Sequence, residues 1–104
     1  MKNYETPEEE DAEKMKLLKE QLNKEVGNII RALRKVADIT QDELAYQLKI
    51  SERYLVKIEN GDATMNFQTY LLIRNYFGKE SFEKEMSHID QELLKLIKQQ
   101  NEDL

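Results

Sequence analysis

The stretch TQDELAYQLKISERYLVKIENG, residues 40–61, decides the fold. Thr40-Gln41-Asp42-Glu43 is a capping box, in which a Thr side chain accepts from a free N–H of the first turn. Leu44, Ala45 and Leu48 then give an eight-residue segment one apolar face. Lys49-Ile50 reads as a tight turn, with Ile50 plugging it into the core. Ser51 caps a following helix whose Leu55 and Ile58 point inward. Asn60-Gly61 ends it, since glycine takes the left-handed conformation that closes a helix without a steric penalty. Two helices that cross steeply need a small residue where they touch, and Ala45 supplies one. The predicted layout is helix, short turn, helix. Braced by a helix on each side, such a pair can lay its second helix in a DNA major groove.

On the N-terminal side, Thr6-Pro7-Glu8-Glu9 is a further helix start. Met15, Leu18, Leu22, Val26, Ile29, Leu33 and Val36 follow at steps of three and four, which is one helical stripe. The stripe reads either as a single helix of about thirty residues or as two helices broken near Asn23–Gly27. Gly27 makes a break plausible, because glycine inside a helix costs about 1 kcal/mol against alanine. On the C-terminal side, Asn66 caps a fourth helix with Phe67, Tyr70, Ile73 and Phe77 on one side, and Gly78 ends it. Ser81 opens a fifth, where Phe82, Met86, Ile89, Leu93 and Leu96 or Ile97 recur at helical spacing; Asn101 to Leu104 are expected to fray.

These elements account for most of the 104 residues, which suffice for one small domain with helical arms. Three Gly and one Pro give too little turn punctuation for a small sandwich or barrel, so the fold class is all-α. The absence of Cys removes disulfides and thiolate chemistry, and a single His leaves no parts for a metal site or a Ser/His/Asp arrangement. The expectation is therefore a protein that is not an enzyme and needs no cofactor. MKNYETPEEE has no apolar stretch of the signal-peptide kind, and no segment approaches the ~20 apolar residues that cross a bilayer. A cytoplasmic location is expected.

Net charge is −5, but it is unevenly spread. Residues 1–25 carry 5 basic and 8 acidic groups, residues 81–104 carry 3 and 6, and residues 26–61 carry 6 and 5. The acidity lies in the two ends and the middle is mildly basic. The expected division is an acidic helical N-terminal arm at 1–25, a DNA-binding unit at 26–80, and a C-terminal helix at 81–104 available for dimerisation.

The residues also resemble a family. Val26-Gly27 through Ile30-Arg31, Leu33-Arg34, then Thr40-Gln41-Asp42-Glu43-Leu44-Ala45, Leu55 and Ile58-Glu59-Asn60-Gly61 are similar to the phage-repressor-like XRE family of helix-turn-helix DNA-binding domains. The likeness covers about residues 26–78. It implies a five-helix domain in which Arg34 pairs with Glu59 across the fold as a structural tie. It further implies that Thr40 and Gln41 hold a DNA phosphate, that Ser51, Glu52, Arg53, Val56 and Lys57 face bases, and that Asn60 lies near the backbone. The chain departs from the pattern at four places. Lys49 stands where the turn favours Gly, at a cost of roughly 1–2 kcal/mol if the residue is left-handed. Arg74 replaces a small apolar residue on the fourth helix. Asp62 and Glu52 put negative charge where phosphate would approach, although Glu52 can accept from a cytosine amino group.

The expected partner is double-stranded DNA bound through its major groove, and the expected assembly is a homodimer. The stripe Met86, Ile89, Leu93 and Leu96/Ile97 suggests that removing residues 82–104 would leave a folded monomer. The function that follows is a transcriptional regulator, in all a repressor that occupies an operator. The rival is an antitoxin or another helix-turn-helix protein whose acidic arms hold a protein partner, with DNA binding secondary or lost.

Overall fold

The structure is a computed structural model that describes residues 9–102, with side chains described for 11–89, 91 and 95. The Thr6-Pro7 helix start, the side chains of Leu93, Leu96 and Ile97, and the last two residues lie outside the described residues; Asn101 and Glu102, where fraying was expected, continue the last helix. Five α-helices form the fold: α1 (Glu9–Val36), α2 (Gln41–Leu48), α3 (Glu52–Asn60), α4 (Phe67–Phe77) and α5 (Lys79–Glu102). No strand occurs among the described residues. α1 packs against α3 and α5, α2 against α3 and α4, and α4 against α5. The fully buried core is Ile30, Leu44, Ala45, Leu48, Leu55, Ile58, Ile73 and Phe82, with Val26, Leu33, Ile39, Ile50, Tyr54, Tyr70, Phe77 and Met86 packed around it.

Three helices start on side-chain caps. Thr40 Oγ1 accepts from the Glu43 N–H at 3.1 Å, Ser51 Oγ from Tyr54 at 3.0 Å, and Asn66 Oδ1 from Thr69 at 2.8 Å. Three helices also end in one way. A residue in the left-handed region follows the last turn, its N–H reaches a carbonyl three residues back, and the next N–H reaches one five residues back. In α1 the bonds are Asp38 to Lys35 and Ile39 to Arg34; in α2, Lys49 to Tyr46 and Ile50 to Ala45; in α3, Gly61 to Ile58 and Asp62 to Lys57. Only the third uses glycine. Asp38 and Lys49 hold φ of 57° and 58°, a strained choice for an L-residue. In both cases the next residue is an isoleucine, Ile39 or Ile50, that packs on the core and fixes the turn.

α1 is continuous from Glu9 to Val36, the single-helix alternative, so Gly27 does not break it. Gly27 is needed for a different reason. A Cβ there would sit 2.5 Å from the carbonyl oxygens of both Ile58 and Glu59, so the end of α3 rests directly on the α1 backbone. Gly27→Ala is expected to lose about 1–3 kcal/mol to this overlap, more than the ~1 kcal/mol that alanine gains as a helix former. Urea midpoints measure it, and a raised midpoint would mean that α3 is not seated on α1 at this point.

Other expectations need correction. The α1 stripe does not stay inside along its length: Val36 is 87% exposed and Met15 55%, while Ile30 is fully buried. Phe67 does not face the core. It is 72% exposed at the start of α4 and stacks on Tyr70, and the residues that α4 buries are Thr69 and Ile73. α5 begins at Lys79 directly after Gly78 rather than at a Ser81 cap, with the Phe82 N–H bonded to the Gly78 carbonyl. Its Phe82 has no exposed surface and meets Tyr70 edge-on at 5.4 Å. The start of α5 thus belongs to the core, so a chain cut before residue 82 loses a central side chain. Arg74 bridges α4 to α5 through Glu83 at 3.7 Å, which explains how a charged residue is accommodated there.

Candidate nucleic-acid interface

The site is built around one buried carboxylate. Glu59 lies on the inner face of α3 with a side chain that has no exposed surface. Arg34 of α1 holds it with two bonds, Nε to Oε2 at 2.8 Å and Nη2 to Oε1 at 3.0 Å. A planar guanidinium matches a carboxylate in this two-bond arrangement. Arg34 Nη1 donates to the Ile39 carbonyl at 3.0 Å, which ties the α1–α2 turn to the same cluster. Gln41, the first residue of α2, donates from Nε2 to Glu59 Oε1 at 3.1 Å. Arg31 approaches Glu59 Oε1 at 3.6 Å and donates to the Glu59 carbonyl at 3.2 Å and to Asn60 Oδ1 at 2.7 Å. One carboxylate therefore locks α1, the head of α2 and the end of α3 into a single arrangement. No buried side-chain N or O among the described residues lacks a partner.

The outer face of α3 carries the other candidates. Glu52, Arg53, Lys57 and Asn60 are exposed, Ser51 is exposed at the cap, and Val56 is half-buried. The structure thus brings Ser51, Glu52, Arg53, Val56 and Lys57 together along one helix of nine residues. Thr40 and Gln41 stand at the start of α2, separate from that face, with the α2 amide N–H groups beside them. Two of these residues are already engaged inside the protein. Gln41 keeps one amide hydrogen and its oxygen free, and Asn60 keeps its amino group.

Three residues outside the expected site shape this region, of which Asp38 was expected only as part of a short connection with Ile39. Arg31 grips the end of α3, and its spacing of one helical turn from Arg34 was the available signal. Tyr54 accepts a hydrogen bond from the Asn66 N–H at 3.2 Å, which joins the start of α4 to α3. Asp38 turns the chain into α2, and nothing in its flanks marks it apart from its being an Asp, a residue tolerant of the left-handed region. No group of His, Asp or Glu among the described residues is placed to hold a metal ion. No helix among them is long and apolar enough to cross a membrane.

Two short capped helices joined by a left-handed turn, with the second held by its inner face and open on its outer face, define a helix-turn-helix protein. A helix-turn-helix family model matches residues 30–84, and the chain belongs to that family, in its XRE branch of DNA-binding regulators. The match begins a few residues later than the resemblance at 26–78 and extends past it to include Phe82. No curated protein and no solved structure matches the chain.

Proposed function

We propose that this chain is a sequence-specific regulator of transcription that binds double-stranded DNA as a homodimer and represses by occupying an operator. The observation that carries the reading is the division of α3. Its inner face is fixed by Leu55, Ile58 and the Glu59 cluster, and its outer face presents Ser51, Glu52, Arg53 and Lys57 to solvent. A rigidly held helix with exposed polar side chains suits base reading, since sequence is read by groups held at defined positions against base edges.

In this reading Thr40 and Gln41 take a phosphate at the α2 N-terminus, where free N–H groups and the helix dipole favour an anion. Glu59 orients Gln41 so that its second amide hydrogen points outward to the backbone. Arg53 reads a guanine through O6 and N7, Glu52 accepts from a cytosine amino group, Val56 contacts a thymine methyl, and Lys57 reaches a base or a phosphate. Arg31 orients Asn60, whose amino group faces the backbone. Exposed apolar side chains such as Leu72 and Tyr76 on α4 are consistent with a covered surface in a dimer. A two-fold dimer would read half-sites about one helical turn apart, and light scattering of the full chain checks the dimer directly.

The deciding experiment selects an operator from random duplexes and compares it with a scrambled one. Arg53→Ala is expected to lose about 1–3 kcal/mol per half-site and to relax the preference at one base pair. Gln41→Ala is expected to weaken all sequences about equally, because backbone contacts carry no sequence information. If Arg53→Ala binds both duplexes as the wild type does, the base-reading assignment fails. A wild type that cannot tell the two apart would favour the antitoxin-like, partner-binding reading.

A further inference from the structure

We infer that the N-terminal half of α1 is a second contact with the DNA backbone, made by Lys16, Lys19 and Lys24 beside the exit of the recognition helix. The inference rests on the DNA-binding reading and extends it to a part of the chain that the family match does not include.

α1 runs past the end of α3 rather than stopping there. Gly61, which closes α3, lies against Lys24: a Cβ on Gly61 would meet Lys24 Cγ at 2.8 Å and its backbone at 3.0 and 3.1 Å. One residue earlier, Asn23 donates to Thr64 at 3.1 Å, so α1 also holds the loop that follows α3. Together α1 and this loop form an open groove lined by Lys16, Lys19, Glu20, Asn23, Lys24, Gly61 and Asp62. Three cations face two anions there, in a chain whose net charge is −5. All three lysines are exposed, and none is ion-paired among the described residues.

The position decides the partner. The groove reaches Gly61, the residue that closes α3, and Lys57 and Asn60 are exposed in the last turn of that helix, so a duplex seated on α3 would carry its flanking phosphates toward it. Lys16 and Lys24 are separated by a rise of about 12 Å along the helix, which spans more than three steps of a strand at 3.4 Å each. A mobile ammonium suits the point charge of a phosphate and reads no sequence. Lys24 also lies by the carbonyl end of α3 and has a structural use there. Lys16 and Lys19 line the same groove one to two turns farther along α1, and Gly61 meets neither of them as it meets Lys24. The exposed acidic residues Asp11 and Glu13 precede the lysines on α1 and do not line the groove.

The test uses the full chain with Lys16→Gln and Lys19→Gln combined, and a charge-matched control with Lys79→Gln and Lys84→Gln on α5. Binding to the selected operator and to the scrambled duplex is measured across a salt series. The expected result is a salt slope lower by about 1.8 for the double variant on both duplexes, from about 0.9 per phosphate. Affinity should fall roughly tenfold or more near 0.15 M salt, by the same factor for both, leaving the preference between them intact. The control pair should keep the wild-type slope. If the double variant and the control behave alike while the wild type still prefers its operator, the inference is overturned and the reading of α3 stands. A wild type that binds both duplexes equally, with the slope still lowered in the double variant, sinks the α3 reading and keeps the backbone contact. A wild type that binds neither overturns both.

Discussion

Glu59→Ala is expected to lower stability by about 3–5 kcal/mol, the cost of leaving a buried cation without its partner. Arg34 carries most of that cost. Its side chain is 13% exposed, and removing the carboxylate leaves it a single bond to the Ile39 carbonyl. Arg31 adds less, because at 35% exposure it can turn to water and keep its bonds to the Glu59 and Asn60 groups. Gln41 loses its partner as well, so the head of α2 is freed along with the end of α3. For a domain of this size, each kcal/mol shifts the melting temperature by roughly 4–8 °C. The variant should therefore melt at least 12 °C or so below the wild type on that scaling. Urea midpoints give the free energy. A loss within about 1 kcal/mol is what an exposed pair would show, and it would mean that the cluster does not hold the helices together. A matched drop in operator binding for Glu59→Ala and Gln41→Ala at low temperature, where both are folded, would separate the orienting role from the stabilising one.

The parts of this fold that were legible in the sequence are those set by local chemistry. Thr40, Ser51 and Asn66 announce three helix starts because a short polar side chain has one good use before an apolar run. The five-helix, all-α architecture follows from those starts and from the helical spacing between them. The parts that were not legible are set by neighbours distant in sequence. Ile29 and Ile30 are adjacent and both apolar, so periodicity alone admits either as the inward residue. The seat of α3 on Gly27 selects Ile30, one turn on, and sends Val36 to solvent at the end of the helix. Gly27 itself reads as a helix breaker by propensity, and only the close approach of the Ile58 and Glu59 carbonyls explains its presence. Phe67 and Phe82 look alike in a periodic pattern. One is placed by the Asn66 cap on the outside of the α4 start, and the other is carried inward by the tight Gly78 junction. The candidate site divides in the same way. Its exposed row on α3 follows from helical spacing, whereas the engagement of Gln41 and Asn60 by Glu59 and Arg31 depends on how α1 crosses α3.

Phe82→Ala is expected to cost about 3–5 kcal/mol, as for a large aromatic side chain removed from a core that cannot close over the gap. Phe82 is fully buried in a core cluster to which α1 to α4 also contribute, and Tyr70 packs edge-on against its ring. An aromatic pair of this kind contributes about 0.5–1.5 kcal/mol beyond the buried area. Two other residues of the core cluster have limited freedom to collapse into the space. Ile73 is on a helix pinned at its start by the Asn66 cap, and Ile30 is on a helix pinned by the Glu59 cluster. Net stability for a chain of this length is about 5–15 kcal/mol, so the substitution removes a large share of it. Cutting the chain before residue 82 removes Phe82, Met86 and the buried Ile89 together, and the remainder is expected to be unfolded at 25 °C. The helical circular dichroism signal and its urea transition distinguish the cases. A cooperative transition retained by residues 1–81 would show that α1 to α4 form a self-sufficient core and that α5 is an appendage for assembly. Loss of the transition in the truncated chain, with a weakened but cooperative one in Phe82→Ala, would place the start of α5 within the DNA-binding unit. Dimerisation would then fall to surfaces beyond Phe82, and a shorter truncation would be required to separate assembly from folding.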